Sequence, residues 1–230
     1  MPPVAILYDI HGNLPALEAV LGAVHFAGAE HVLLGGDYAL FGPYPRETVE
    51  ALGGLANATW IRGNVDRWAA HPDDAPQDPL VREAIAACRR ELGPELVERL
   101  GALPEQTVLD GTRYCHGSPR SDVRSFLPEP TEEDDELLAG AGERRVVFGH
   151  THLQFRRIRA EGVELVNPGS VGMPMDGDPR AAYALVWEDG SIELRRCPYD
   201  QEASAAAMSE RFGDGAWAQR SANRLRSARP

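Results

Sequence analysis

"VAILYDIHGNLPALEAVLGAVHFAG", residues 4–28, divides into three unlike parts. Val4 to Tyr8 is a short apolar run of the kind that forms a buried strand. Asn13 then stands at a helix N-cap, with Pro15 in the first turn and Leu14, Leu17, Leu21 and Val24 near helical period. Between them lies Asp9-Ile10-His11, polar residues at the point where strand gives way to helix. The same alternation continues with "HVLLGG" (31–36, strand), "PRETVEALGGL" (45–55, helix) and "ATWIRGN" (58–64, strand). This βαβαβ rhythm predicts parallel strands joined by helical crossovers. In such sheets ligands collect beyond the carboxyl ends of the strands, so the residues just past each strand carry the function.

Beyond Val65 the pattern changes. "HPDDAPQDP" (71–79) reads as loop, "LVREAIAACRRELG" (80–93) and "PELVERLGAL" (94–103) as helices. The chain then turns mostly to strands: "QTVLD", "TRYCHG", "RVVFG", "QFRRIRA" (154–160), "VELVN", "AAYALVWEDG" and "SIELRRC", several joined by turn signals such as DG and EG. An acidic helical stretch, "TEEDDELLAGAG" (131–142), interrupts them. From Gln201 an alanine-rich helical tail carries Trp217 and the arginines 220, 224, 226 and 229. The expected organisation is a domain over 1–200 with a helical insertion at 67–103, followed by a helical tail at 201–230.

Composition narrows the chemistry. Net charge is −12 over 230 residues, which disfavours a general nucleic-acid binder. It leaves room for a small phosphate ester, because a bound metal outweighs a distant acidic surface. All 23 basic residues are arginine; mechanisms that need a lysine, such as phosphate-loop nucleotide hydrolysis or Schiff-base formation, are excluded. Cys88, Cys115 and Cys197 are odd in number and far apart, so neither a disulfide framework nor a CxxC knuckle is available. The N-terminus lacks a basic region ahead of its apolar run, unlike a signal peptide. No apolar run approaches the roughly 20 residues of a membrane span. A cytoplasmic protein is expected.

The residues at strand ends form a series: Asp9 and His11 in "DIH", Asp37 in "GGD", Asn64 and Asp66 in "GNVD", His116 in "CHG", and His150 and His152 in "GHTH". In an extended segment residues i and i+2 face one side, so His150 and His152 can reach one point. Each element alone is commonplace. Together they place four of the seven histidines beside strand-end glycines or an aspartate, a donor set for a metal rather than for a core. His25, His31 and His71 have no such context. Imidazole, carboxylate and amide oxygen suit Mn, Fe, Ni or Zn better than an all-oxygen or all-thiolate ion.

D-x-H, GD, GN-x-D, H and GHTH, in this order, resemble the motif set of the calcineurin-like metallophosphoesterase superfamily, and "VNPGSVG" (166–172) resembles its bacterial phosphodiesterase branch. The resemblance implies an α/β fold, a four-layer α/β/β/α sandwich of two mixed sheets. It implies two divalent transition-metal ions, Mn favoured, with Asp9, His11 and His152 on the first, Asn64, His116 and His150 on the second, and Asp37 between. The implied reaction is hydrolysis of phosphodiesters by a metal-bridged hydroxide, with Asp37, Asn64, His116 and Asp66 as the catalytic set. A phosphomonoesterase, or an inactive scaffold of the same fold, are the alternatives. The partner is a small phosphate-ester substrate, not a membrane or a stably bound nucleic acid, and a homo-oligomer is left open.

One position departs from the family pattern. Many members carry histidine after the GN, and Val65 stands there instead, so no proton for the leaving group comes from that side chain. Asp66 is read either as a carboxylate orienting a ligand histidine or as a helix cap. Arg67, Arg120 and Ser118 are read either as phosphate contacts or as solvated surface, and Asn13 as a cap. The 67–103 insertion is a lid or a packing surface. The tail docks on the protein's own acidic surface or frays.

Overall fold

Strand parity sorts the apolar residues of each strand between two faces, and here it builds three stacked cores. The computed structural model describes residues 2–159 and 162–230. One sheet holds β1 (Val4–Leu7), β2 (His31–Leu34), β3 (Ala58–Trp60), β9 (Ala181–Val186) and β10 (Ile192–Cys197) in the order β10-β9-β1-β2-β3. The other holds β4 (Gln106–Leu109), β5 (Thr112–Cys115), β6 (Arg145–Val147), β7 (Phe155–Ile158) and β8 (Glu164–Asn167) in the order β4-β5-β6-β8-β7. Each sheet is mixed: β1-β2-β3 and β5-β6-β8 run parallel, and their outer partners run antiparallel.

Ile6, Tyr8, Leu33, Val147, Val166 and Ala184 point into the space between the sheets, where Tyr8 also donates from its hydroxyl to the Val147 carbonyl at 3.2 Å. Ala5, Leu7 and Leu34 point the other way. There they meet the helices α1 (Leu14–Phe26), α2 (Pro45–Gly53), α4 (Pro79–Gly101), α6 (Gln201–Phe212) and α7 (Ala216–Ser227). On the far side of the second sheet, Val146, Phe148 and Leu165 pack under α5 (Asp134–Leu138) with Phe126 and Leu137. That fourth layer is thin, a single helical turn plus loops.

The parallel strands and the α1 and α2 crossovers match the sequence reading. Differences have local causes. The acidic stretch forms only the one turn of α5, because Ala139 already leaves helical backbone. The stretch 58–64 is strand only to Trp60, and Asn64 opens a short helix, α3 (Asn64–Ala70). Seven residues are too few to show helical period, so that element is set by capping at Gly63 and Asp66. The two expected helices at 80–103 are the halves of α4, broken at Gly93 (φ 73°) ahead of Pro94. The strand expected over 154–160 is seen at Phe155–Ile158; Ala160 of that stretch, and Glu161 of the EG signal after it, lie outside the described residues.

The insertion and the tail share the main core. Ile85, Cys88 and Leu100 of α4, Met208 of α6 and Trp217 and Leu225 of α7 all join it. Arg211 bonds Glu47 at 2.5 Å and Glu91 at 2.9 Å, so the tail is docked and does not fray. Among the described residues no helix is long and apolar enough to cross a membrane.

Phe148 is fully buried, with Phe126 and Phe155 ring centroids 4.9 Å and 5.7 Å away. Phe148→Ala is expected to lower unfolding free energy by about 3–5 kcal/mol, read from urea denaturation.

Candidate metal centre

All seven expected ligands lie just past strand ends, on the rim where the parallel strands of both sheets terminate. Five of them, Asp9 (φ 54°), His11 (50°), Asp37 (60°), His150 (68°) and His152 (59°), have left-handed backbone. Non-glycine residues rarely adopt it, and such strain persists only where the surroundings over-determine it. Two glycines make room: a Cβ on Gly63 would collide with Oδ1 of Asp37, and one on Gly149 with Oδ2 of Asp9.

Backbone carbonyls fix the imidazoles. Nδ1 of His11 donates to Leu40 O (2.8 Å), Nδ1 of His152 to Met173 O (2.6 Å) and Nδ1 of His116 to Gly35 O (2.9 Å). With Nδ1 so engaged, the neutral form of each ring presents its lone pair at Nε2. Those lone pairs converge: Nε2 of His11 and His152 stand 3.1 Å apart. Nε2 of His116 lies 3.3 Å from Oδ2 of Asp37 and 3.8 Å from Oδ1 of Asp9. Oδ1 of Asp9 is also 3.5 Å from His152 and 4.0 Å from His11, is buried, and meets no hydrogen-bond donor among the described residues. The Asn64 amide faces His116 Nε2 at 3.0 Å and His150 Nδ1 at 2.9 Å. Without a cation there the amide NH2 would serve both rings. Two clusters, Asp9-His11-His152 and Asp9-Asp37-His116, place one donor atom per residue within ion-binding range. A divalent cation fits this donor set, since among the described residues no group satisfies these acceptors aimed at one another.

Charge follows burial. Burial lowers the pKa of His11 and His152 and brings His150 to about 4, so all three are neutral imidazoles at pH 7. Burial, with the charge of Asp37 adding to it, lifts Asp9 to about 8 against the pull of His116. Burial works against ionisation of Asp37 too, but His116 and the other imidazoles outweigh it and hold the carboxyl well below the usual range. Burial likewise disfavours imidazolium at His116, yet the charge and hydrogen bond of Asp37 raise it to about 10.

Asp66 does not meet a histidine, which corrects the first reading of it. Its carboxylate accepts from the backbone N–H groups of Asp37 (2.8 Å), Gly63 (2.9 Å) and Tyr38 (3.1 Å). It caps α3 and fixes the backbone that carries Asp37. The loop 166–172 does similar work: Ser170 donates to Asp9 O at 2.6 Å, and Asn167 to Gly149 O and to the Thr151 hydroxyl. The sequence signal for these was present in "VNPGSVG", but not the partners. Asn13, wholly buried, cross-links Gly172 O, Tyr199 and Ser204 as well as capping α1. Arg67 is committed to Asp122 and Asp74, Ser118 donates to Ser121 O, and Arg120 is exposed. His31 sits at the opposite end of β2, bonded to Thr59. A cavity of about 230 Å³ opens over His11, Asp37, Asn64, His150 and His152, and α7 lines its far side. Sequence reading gave α7 no part in the site, because no local pattern says which surface a helix will cover.

Residues 3–190 match the calcineurin-like phosphoesterase superfamily domain. The chain belongs to that family. It is 30% identical over 199 residues, 79% of this chain and 85% of the relative, to a protein of Escherichia coli named phosphodiesterase YfcE. It is 29% identical to an uncharacterized protein of Methanocaldococcus jannaschii, with 86% of this chain and 88% of that one covered. The crystal structure of a metallophosphoesterase from Sphaerobacter thermophilus is similar at a TM-score of 0.83 and 28% identity, covering 98% of both chains. As a family member, the protein is a metal-dependent phosphoesterase.

Two outcomes are expected. Asp66→Asn removes the charge that gathers three N–H groups, and Mn²⁺ affinity falls about 10- to 100-fold, measured by calorimetric titration. A metal must displace the protons held by Asp9 below about 8 and by His116 below about 10. Mn²⁺ affinity therefore rises with pH between 6 and 8, and binding at pH 7 releases protons to the buffer. Titration in buffers of different ionisation enthalpy reads that release.

Proposed function

We propose that this protein hydrolyses phosphodiesters at a two-metal centre, one ion held by Asp9, His11 and His152, the other by Asn64, His116 and His150, with Asp37 between them. The observation that carries this reading is the convergence of imidazole nitrogens on two buried carboxylates, with Oδ1 of Asp9 meeting no donor among the described residues. Mn²⁺ is the favoured ion of the set Mn, Fe, Ni and Zn, which mixed N and O ligands accept. Two such ions, when bound, lower the pKa of a shared water toward about 7 and polarise the phosphoryl oxygens.

The chain's own residues set geometry and charge. Asp37 reaches His11 at 3.8 Å and His116 at 3.3 Å, so it spans both halves of the centre. Asp66 acts through it as a positioning residue. Val65 lines the cavity beside Asn64 and can neither donate nor accept a proton. Cleavage then depends on the stability of the leaving group. The name of the E. coli relative supports the preference for diesters over monoesters, and the presence of all seven donors argues against an inactive scaffold.

The test uses Mn-loaded protein. Elemental analysis is expected to find two ions, and anomalous scattering to place them about 3.5–4 Å apart. An aryl diester is expected to outpace an alkyl diester by the 10²–10⁴-fold that general-acid help is typically worth, and to outpace the matching aryl monoester. Asp37→Ala loses nearly all activity, while His25→Ala and His71→Ala keep it. A single ion, a flat dependence of kcat/KM on leaving-group pKa, or faster monoester cleavage would each overturn part of this reading.

A further inference from the structure

The cavity over the metal centre has two unlike surfaces. Its floor is the ligand set. Its sides are mostly apolar, with Phe41, Trp68, Met175 and Trp217 of α7, and Asp78, Arg220 and Ser221 also border it. Into this enclosure α7 also brings Arg224.

We propose that Arg224 is a substrate-binding residue that holds a non-bridging phosphoryl oxygen, while the apolar walls hold the compact organic group of a small phosphodiester. This rests on the phosphodiesterase reading above. Arg224 lies outside residues 3–190, the part matched by the family domain, so membership assigns it no role.

Four observations support the assignment. First, Arg224 is a cation without a counter-ion: half-buried, with no hydrogen-bond or ion-pair partner for its guanidinium among the described residues, and with Nε buried and unpartnered. Burial disfavours its charge, and Arg220 adds to the cost. Two other arginines of the tail meet acids, Arg226 with Glu202 at 2.8 Å and Arg211 with Glu47 and Glu91. In a chain of net charge −12, an enclosed arginine that meets none of the acids is best matched by an anionic ligand. Second, the residue is presented from a fixed element. Trp217, Ala218, Ala222 and Leu225 anchor α7 in the main core, and Ala228 O accepts from Gly177 N at 2.9 Å. Third, Arg224 lines the same cavity as His11, Asp37, Asn64, His150 and His152, so a ligand seated over those residues lies within the space its side chain borders. Fourth, Trp68, another lining residue and nine-tenths buried, has an indole Nε1–H without an acceptor among the described residues. The size of the cavity sets the class of substrate. At about 230 Å³ it lies below the roughly 300–1,000 Å³ of pockets for drug-sized ligands. It holds a phosphoryl group with one compact aryl or alkyl substituent, and a larger second substituent extends out of its mouth.

Orthophosphate is the probe, titrated calorimetrically into full-length Mn-loaded protein. Arg224→Met is expected to weaken phosphate binding about 10- to 100-fold, the usual size of a charge-assisted hydrogen-bonded contact, with Mn²⁺ affinity unchanged. Arg224→Lys keeps the charge without the planar fork and falls between. Arg226→Ala, on the outward side of the same helix, binds phosphate as the native protein does. An arginine serving only to neutralise the carboxylates would instead move Mn²⁺ affinity. The assignment fails if both Arg224 variants bind phosphate within twofold of the native protein, or if the loaded native protein does not bind phosphate. It also fails in its size clause if a dinucleotide is cleaved as efficiently as a methyl aryl diester. Preference for monoesters would overturn the diesterase reading while leaving the phosphate titration to decide Arg224. Unchanged phosphate binding with diester cleavage intact would remove Arg224 alone.

Discussion

Asp9 and Asp37 lie buried side by side, each within 4 Å of shared imidazoles, and that burial of like charge is the constraint around which the site is built. Taking one carboxylate out of water is costly, and two in contact cannot both ionise without a compensating cation. In the metal-free chain the burden falls on protons, which is why Asp9 is pushed to about 8 and His116 to about 10. Divalent ions would relieve the same repulsion with more charge, so affinity for metal and the distorted proton affinities have one cause.

Holding such a cluster takes backbone as well as side chains. Five of the seven donor residues adopt left-handed φ, a conformation worth of order 1–3 kcal/mol of strain each in non-glycine residues. The strain is spread over loops clamped from behind: Asp66 grips the backbone of Asp37, Ser170 that of Asp9, and three carbonyls orient three rings. These clamps sit on strand ends of two sheets that share one apolar interior, so packing between the sheets and geometry at the rim are coupled. The tail extends this arrangement. It adds apolar surface to the main core and, in doing so, covers the centre with Trp217 and Arg224.

The sequence alone determined the periodic parts of the fold and the inventory of the site. Parallel strands were legible from the alternation of short apolar runs with capped helical patterns. The seven candidate donors were legible because each follows a strand end; that Gly63 and Gly149 leave room for the carboxylates of Asp37 and Asp9 is seen only in the fold. What the tertiary structure decided is everything that depends on distance across the chain. Asp66 reads equally as a cap or a histidine partner until the Asp37 backbone is found against it. Arg67 and Ser118 look like phosphate contacts until Asp122 and Ser121 claim them. The α3 helix is too short for a period. The position of α7 over the metal centre follows from burial of Trp217 and Leu225 in a core assembled from the whole chain. Local pattern reports what a residue's neighbours in sequence impose; a charge left unpaired in a cavity, such as Arg224, exists only once distant segments have packed around it.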